Sequence, residues 1–103
     1  MSVDGGIFVS AASIWEISIK HAIQKHKGST MPFSGGQALE AFQSAGLYLL
    51  NITPKHAASV DALPPVHGDP FDRILVAQAR QESLYLLTRD KILAGYGDFV
   101  MVV

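Results

Sequence analysis

The chain has 103 residues, 49% of them hydrophobic, which is enough for one compact domain with its own core. Nine acidic against eight basic side chains leave a net charge of -1, excluding a global positive field that would draw the protein to nucleic acid or an anionic membrane, so any nucleic-acid contact must be local. The absence of cysteine excludes disulfides, thiolate metal sites and cysteine nucleophiles, and suits a reducing cytosol.

Residues 7–10 are a short apolar run led in by Gly5 and Gly6, which predicts a buried strand. From Ala11 the period changes. Ala11, Ile14, Trp15, Ile19, Ala22 and Ile23 recur at three- and four-residue steps while Glu16, Lys20 and Lys27 take another face. That spacing predicts an amphipathic helix to residue 26, ended by Gly28. The stretch GSTMPFSGG reads as a loop, QALEAFQSA as a second helix leading to Gly46, and LYLLNI as a buried strand. Thr53 before Pro54 suits a helix cap and first turn, giving a helix to Leu63 that Pro64 and Pro65 close.

Asp69 before Pro70 repeats the start signal. Residues 71–81 form a helix apolar on most of its circumference, through Phe71, Ile74, Leu75, Val76, Ala77 and Ala79, and such a helix is buried against a sheet. LYLLT at 84–88 is the next strand and FVMVV at 99–103 the last, with a helical turn at 92–94 between them. Nearly continuous apolar strands separated by helices indicate an α/β domain whose parallel sheet is covered on both faces. One domain spans residues 1–103, without repeat or linker. No apolar run reaches the roughly 18 residues that span a bilayer, and residues 1–6 lack both a basic region and an apolar signal core, so a cytoplasmic domain without membrane contact is expected.

In parallel sheets, ligands sit at the carboxyl ends of strands. Glu16 lies on the first turns of the helix after residues 7–10, Asp72 in the first turn of the helix opened by Asp69, and Asp90 two residues beyond the strand at 84–88. Convergent carboxylates repel unless a divalent cation neutralises them, and hard oxygen ligands suit Mg2+ or Mn2+. Each acid also has an ordinary explanation. Ser13 and Glu16 fit a capping box, Glu16 and Lys20 an i,i+4 ion pair, Asp72 the helix dipole, and Asp90 a cap on the short helix after it. Three independent caps, however, have no reason to fall at one edge of one sheet.

Other residues carry less. His21 and His26, beside Lys20, Lys25 and Lys27, form either a solvated basic face or a phosphate contact. His56 is expected on an exposed helix, and His67 in a loop without a partner at metal-ligand spacing. Ser10 and Ser13 lack a base and acid in triad arrangement. Trp15 reads as a core anchor or, at a rim, as a base-stacking surface. Arg73 and Arg89 adjoin candidate acids and either pair with them or approach a phosphate.

VSAASIWEISIK at 9–20, ITPKHAASVDALP at 52–64, HGDPFDRILVAQA at 67–79 and LLTRD at 86–90, in this order, closely resemble PIN-domain proteins of the VapC toxin type. The resemblance covers nearly the whole chain. It implies a three-layer α/β domain with helices flanking a parallel sheet, and an acidic pocket that binds Mg2+ or Mn2+ and hydrolyses RNA phosphodiesters. It also implies a homodimer held inactive by a small antitoxin whose tail covers the pocket. Carried over by motif, Glu16, Asp72 and Asp90 are the catalytic, metal-binding acids; Asp69 is a helix cap or an orienter of ligands, and Ser10, Arg73 and Arg89 are supporting candidates.

One departure stands out. Such proteins usually begin with an aspartate-bearing strand, central in the sheet between the equivalents of 7–10 and 84–88. Here Met1 stands six residues before Ile7, and Asp4 precedes a glycine pair rather than ending an apolar strand. The expectation is a domain shortened at its N-terminus, with a metal ligand missing, two inner strand edges exposed and, for that reason, weak or absent ribonuclease activity. A shortened chain, a misplaced start codon and a decayed gene are equally compatible with it. The rival reading is a non-catalytic interaction module that dimerises or exchanges strands between chains. A phosphatase or nucleotide binder is disfavoured, because neither a glycine-rich phosphate loop nor a nucleophile motif is present.

Overall fold

The structure, a computed structural model, describes residues 2–3, 6–26 and 33–103. Asp4, the helix stop at Gly28 and the basic side chains of Lys25, His26 and Lys27 lie outside the described residues and side chains. Strand β2 (Gly6–Ser10) pairs in parallel with β3 (Tyr48–Leu50), Phe8 opposite Tyr48 and Ser10 opposite Leu50. The Phe8 and Tyr48 rings stack with centroids 5.1 Å apart, a cross-strand aromatic pair that fixes this register. A short strand, β1 (Ser2–Val3), adds antiparallel to the start of β2, an element the sequence reading did not contain.

Helix α1 (Ala11–His26) begins at the end of β2, where the Ser10 hydroxyl accepts the Ala12 N–H. The capping box expected of Ser13 and Glu16 is not there, because both lie inside the helix and Ser10 supplies the cap. Helix α2 (Gly35–Ser44) starts two residues earlier than its apolar pattern suggested, since Ser34 and Gln37 form the reciprocal capping box. Gly35 abuts α1. A Cβ there would collide with Ser18 Oγ, and would stand 3.1 Å from Ser18 Cβ and 3.6 Å from the Ile14 carbonyl oxygen. Gly35→Ala is therefore expected to destabilise by about 1 kcal/mol, the overpacking cost outweighing the gain in helix propensity. Ser18→Ala in the same chain should restore part of that loss in a urea titration.

Thr53 and His56 make a second reciprocal box at the start of α3 (Pro54–Ser59), which tightens into a 3-10 turn over Val60–Ala62. His56 is buried, with 1% of its surface exposed, and this corrects the expectation of an exposed helix. Helix α4 (Pro70–Glu82) is capped by Asp69 and stopped by Ser83 in the left-handed region at φ 56°. Strand β4 (Leu86–Thr88) and β5 (Val100–Val102) pair in parallel across a 3-10 segment at Lys91–Tyr96.

The fold is α/β with parallel strands flanked by helices, arranged among the described residues as separate ladders, β1-β2-β3 and β4-β5, rather than one continuous sheet. The main core lies on the second ladder: Leu63, Val76, Ala77, Ala79, Leu86, Leu93, Tyr96 and Val100 form one cluster, with Leu75 and Phe99 packed on it. Buried polar groups tie this unit to the first ladder. The Ser10 hydroxyl donates to Gln78 Oε1, and Gln78 Nε2 donates to the Asn51 carbonyl at 3.3 Å. Among the described residues no helix is long and apolar enough to cross a membrane.

Candidate metal centre

The start of α4 and the end of β4 bring acids together by ordinary local chemistry. Asp69 Oδ1 accepts the N–H groups of Phe71 and Asp72 at 2.8 and 3.1 Å, satisfying two of the free donors of the first turn and so fixing the point from which Asp72 projects. Beyond β4, the Thr88 hydroxyl accepts the Asp90 N–H and Asp90 Oδ1 accepts the Ile92 N–H, both at 3.0 Å. These bonds turn the chain out of the strand. Asp69 and Asp90 thus serve as caps, as their positions alone suggested, and the cluster exists nonetheless.

Asp72, Asp90 and His67 each offer a potential ligand atom within 4.8 Å of the others. His67 Nε2 lies 3.2 Å from Asp90 Oδ2 and 3.7 Å from Asp72 Oδ2. All three side chains are partly buried, at 22% exposure for His67, 28% for Asp72 and 38% for Asp90. Burial pushes the Asp72 carboxyl above its ordinary value, and the negative charge of Asp69 adds to the rise. Glu16 and Asp90 raise it further, while His67 works in the opposite direction. Glu16 therefore sits within electrostatic reach of Asp72, although it is not in the compact set; its own carboxylate pairs with Lys20 at 3.5 Å.

His67 is the functional candidate that sequence spacing passed over, because its partners come from two later segments of the chain. Its role follows from the other ring nitrogen. Nδ1 accepts the Asp69 N–H at 3.0 Å, so the neutral ring carries its proton on Nε2 and aims a donor, not a lone pair, at the carboxylates. His67 thus holds Asp90 Oδ2 in place and leaves cation binding to oxygen. The donor set that fits a hard divalent cation is Asp72 and Asp90, with the charge of Glu16 nearby.

The supporting candidates separate clearly. Arg73 neither pairs with a carboxylate nor points to solvent. Its guanidinium donates to the carbonyls of Val60, Pro64 and His67 and to the Tyr96 hydroxyl, at 3.1 to 3.3 Å. Tyr96 in turn accepts the His67 N–H at 3.1 Å, so Arg73 and Tyr96 together clamp the loop that presents His67. Ser10 is buried, and its hydroxyl donates to Gln78. Arg89 is exposed and has no ion pair among the described residues. Trp15 is 58% exposed, which corrects the expectation of a core anchor; it meets Phe71 edge to face, centroids 4.9 Å apart.

The family model described as PIN domain matches residues 2–98. Among curated proteins and among solved structures, none gives a significant match.

Proposed function

The chain belongs to the PIN domain family, generally a nuclease fold that usually holds a divalent cation, and from that premise we propose that it is a metal-dependent endoribonuclease of the VapC toxin type. The observation that supports this reading is the convergence of Asp72 and Asp90, from separate segments, on one partly buried point where Glu16 adds a third negative charge. Burial and the neighbouring carboxylates hold the Asp72 carboxyl above its ordinary value, and a divalent cation relieves that cost.

Held by Asp72 and Asp90, Mg2+ or Mn2+ would supply Lewis-acid stabilisation of charge on a scissile phosphate and would lower the pKa of an attacking water. The protein's own contribution is positional. Asp72 and Asp90 bind, Glu16 completes the negative field, and His67 and the Ile92 N–H fix the Asp90 carboxylate. Arg89, exposed and next to Asp90 in the chain, is the cation placed to meet an RNA phosphate. In this reading the protein is a cytoplasmic homodimer, silenced by a small antitoxin that covers the acidic site.

Asp90→Asn should lower Mn2+-dependent cleavage of single-stranded RNA by roughly 100-fold or more while the fold persists. Undiminished cleavage by the variant would refute the assignment. A second reading, a non-catalytic dimerising or antitoxin-binding remnant of a PIN domain, is favoured by one observation: among the described residues the strands form two ladders, and Ile7 on β2 and Leu87 on β4 are 49% and 39% exposed. Unfolding that depends on protein concentration but not on Mn2+ would support that alternative.

A further inference from the structure

Tryptophan is costly to leave in water, yet Trp15 is more than half exposed where α1 meets the start of α4. It precedes Glu16 on α1, and the ring it meets, Phe71, precedes Asp72 on α4. The two aromatic residues thus stand one position before two of the candidate acids, on the two helices that carry them. Their edge-to-face contact, with planes at 69°, holds the indole against α4 while most of it remains open.

We propose that Trp15, braced by Phe71, is a stacking platform for a nucleobase of single-stranded RNA, the base adjoining the phosphate that a cation at Asp72 and Asp90 would hold. This rests on the nuclease reading for its substrate but concerns a separate contact. Every base offers an aromatic face, so the platform binds without reading sequence. It also supplies affinity that the protein's charge does not, because a net charge of -1 and a negative pocket repel RNA until a cation is present. A protein partner is the competing occupant, since Ile23, two helical turns further along α1, is 48% exposed. The position of Trp15 favours RNA: its brace, Phe71, directly precedes Asp72, and Ser18, one turn further along α1, is polar and exposed.

Trp15 is the only tryptophan, so its emission reports on this contact alone. The experiment titrates the full chain in Mn2+ with an oligoadenylate decamer, read by stopped flow before turnover, and repeats it with an abasic decamer. The oligoadenylate should quench the fluorescence and the abasic strand should not. Trp15→Ala should weaken oligoadenylate binding by roughly 5- to 150-fold, Trp15→Phe should retain most of the affinity, and neither should alter the rise in melting temperature on adding Mn2+. Binding without quenching, or equal affinity for Trp15→Ala, would overturn the platform. So would unchanged RNA affinity combined with a shift from dimer to monomer in sedimentation, which would assign the indole to a protein interface. The nuclease reading fails separately, if Mn2+ supports no cleavage or Asp90→Asn cleaves as well as wild type, and the quenching still decides the role of Trp15.

Discussion

Asp72→Asn is expected to stabilise the metal-free protein at pH 7 and to remove most of the stabilisation that Mn2+ gives the wild-type chain. The sign comes from burial first, then from the charge of Asp69, which together hold the Asp72 carboxyl above its ordinary value of 3.8. Between that value and the raised one the native state binds more protons than the unfolded state, so stability falls as pH rises through the window. At neutral pH the ionised carboxylate is fully present, and its cost with it. Asparagine keeps the shape without the charge, so the variant should melt higher than wild type at pH 7, and the gap should close as the pH is taken down towards 3.8. The cation reverses the order. At about 100 times its dissociation constant, an ion bound only by the native state adds about 2.7 kcal/mol. For a domain of this size that is a rise of roughly 10 to 20 °C in melting temperature. Each tenfold loss of affinity in the variant removes about 1.4 kcal/mol of it. Calorimetry with and without Mn2+ reads both effects. Equal melting temperatures without metal and equal shifts with it would show that Asp72 neither bears the electrostatic cost nor binds the ion.

Local chemistry was legible in the sequence wherever signals lay within a few residues of one another. Thr53-Pro54 and Asp69-Pro70 announced helix starts that the structure shows, and the alternation of apolar strands with helices gave the α/β class with parallel pairing. Glu16, Asp72 and Asp90 could be picked out because strand ends and helix starts gather at one edge of such a sheet; the structure brings Asp72 and Asp90 together and leaves Glu16 acting through its field. What local reading missed were contacts made across the chain. His67 acquires meaning only when Asp90, 23 positions later, folds against it. Arg73 looked like a partner for its neighbouring acid, but four oxygens from the surrounding loops outcompete that carboxylate. Trp15 satisfied the helical period of a core residue, and periodicity gives a face without saying how completely that face is covered.

Gln78 is the sharpest of these cases, and Gln78→Ala should be among the most damaging single substitutions in the chain. In sequence it is one polar residue within an apolar helical run; in the structure it is fully buried. Its amide oxygen accepts from the Ser10 hydroxyl, and its nitrogen lies 3.3 Å from the Asn51 carbonyl and 3.4 Å from His56 Nδ1. Since Nδ1 also accepts the Thr53 N–H, the His56 ring donates through Nε2 to Glu82 at 2.8 Å. One side chain thereby joins the end of β2, the residue after β3, α3 and α4. Among the described residues, no buried side-chain polar atom lacks a partner. Alanine would break that condition, leaving the Ser10 donor without an acceptor and opening a cavity in the packed helix. An orphaned buried group costs about 1 to 3 kcal/mol and the cavity adds to it, for a total of roughly 3 to 5 kcal/mol. A double-mutant cycle separates the parts. Ser10→Ala should be clearly destabilising in the wild-type background and less so beside Gln78→Ala, where only the loss of the cap on the Ala12 N–H remains, giving a coupling of about 1 kcal/mol or more. Additive losses in urea unfolding would mean that the bond does not couple the two ladders, and that Gln78 matters only for the volume it fills.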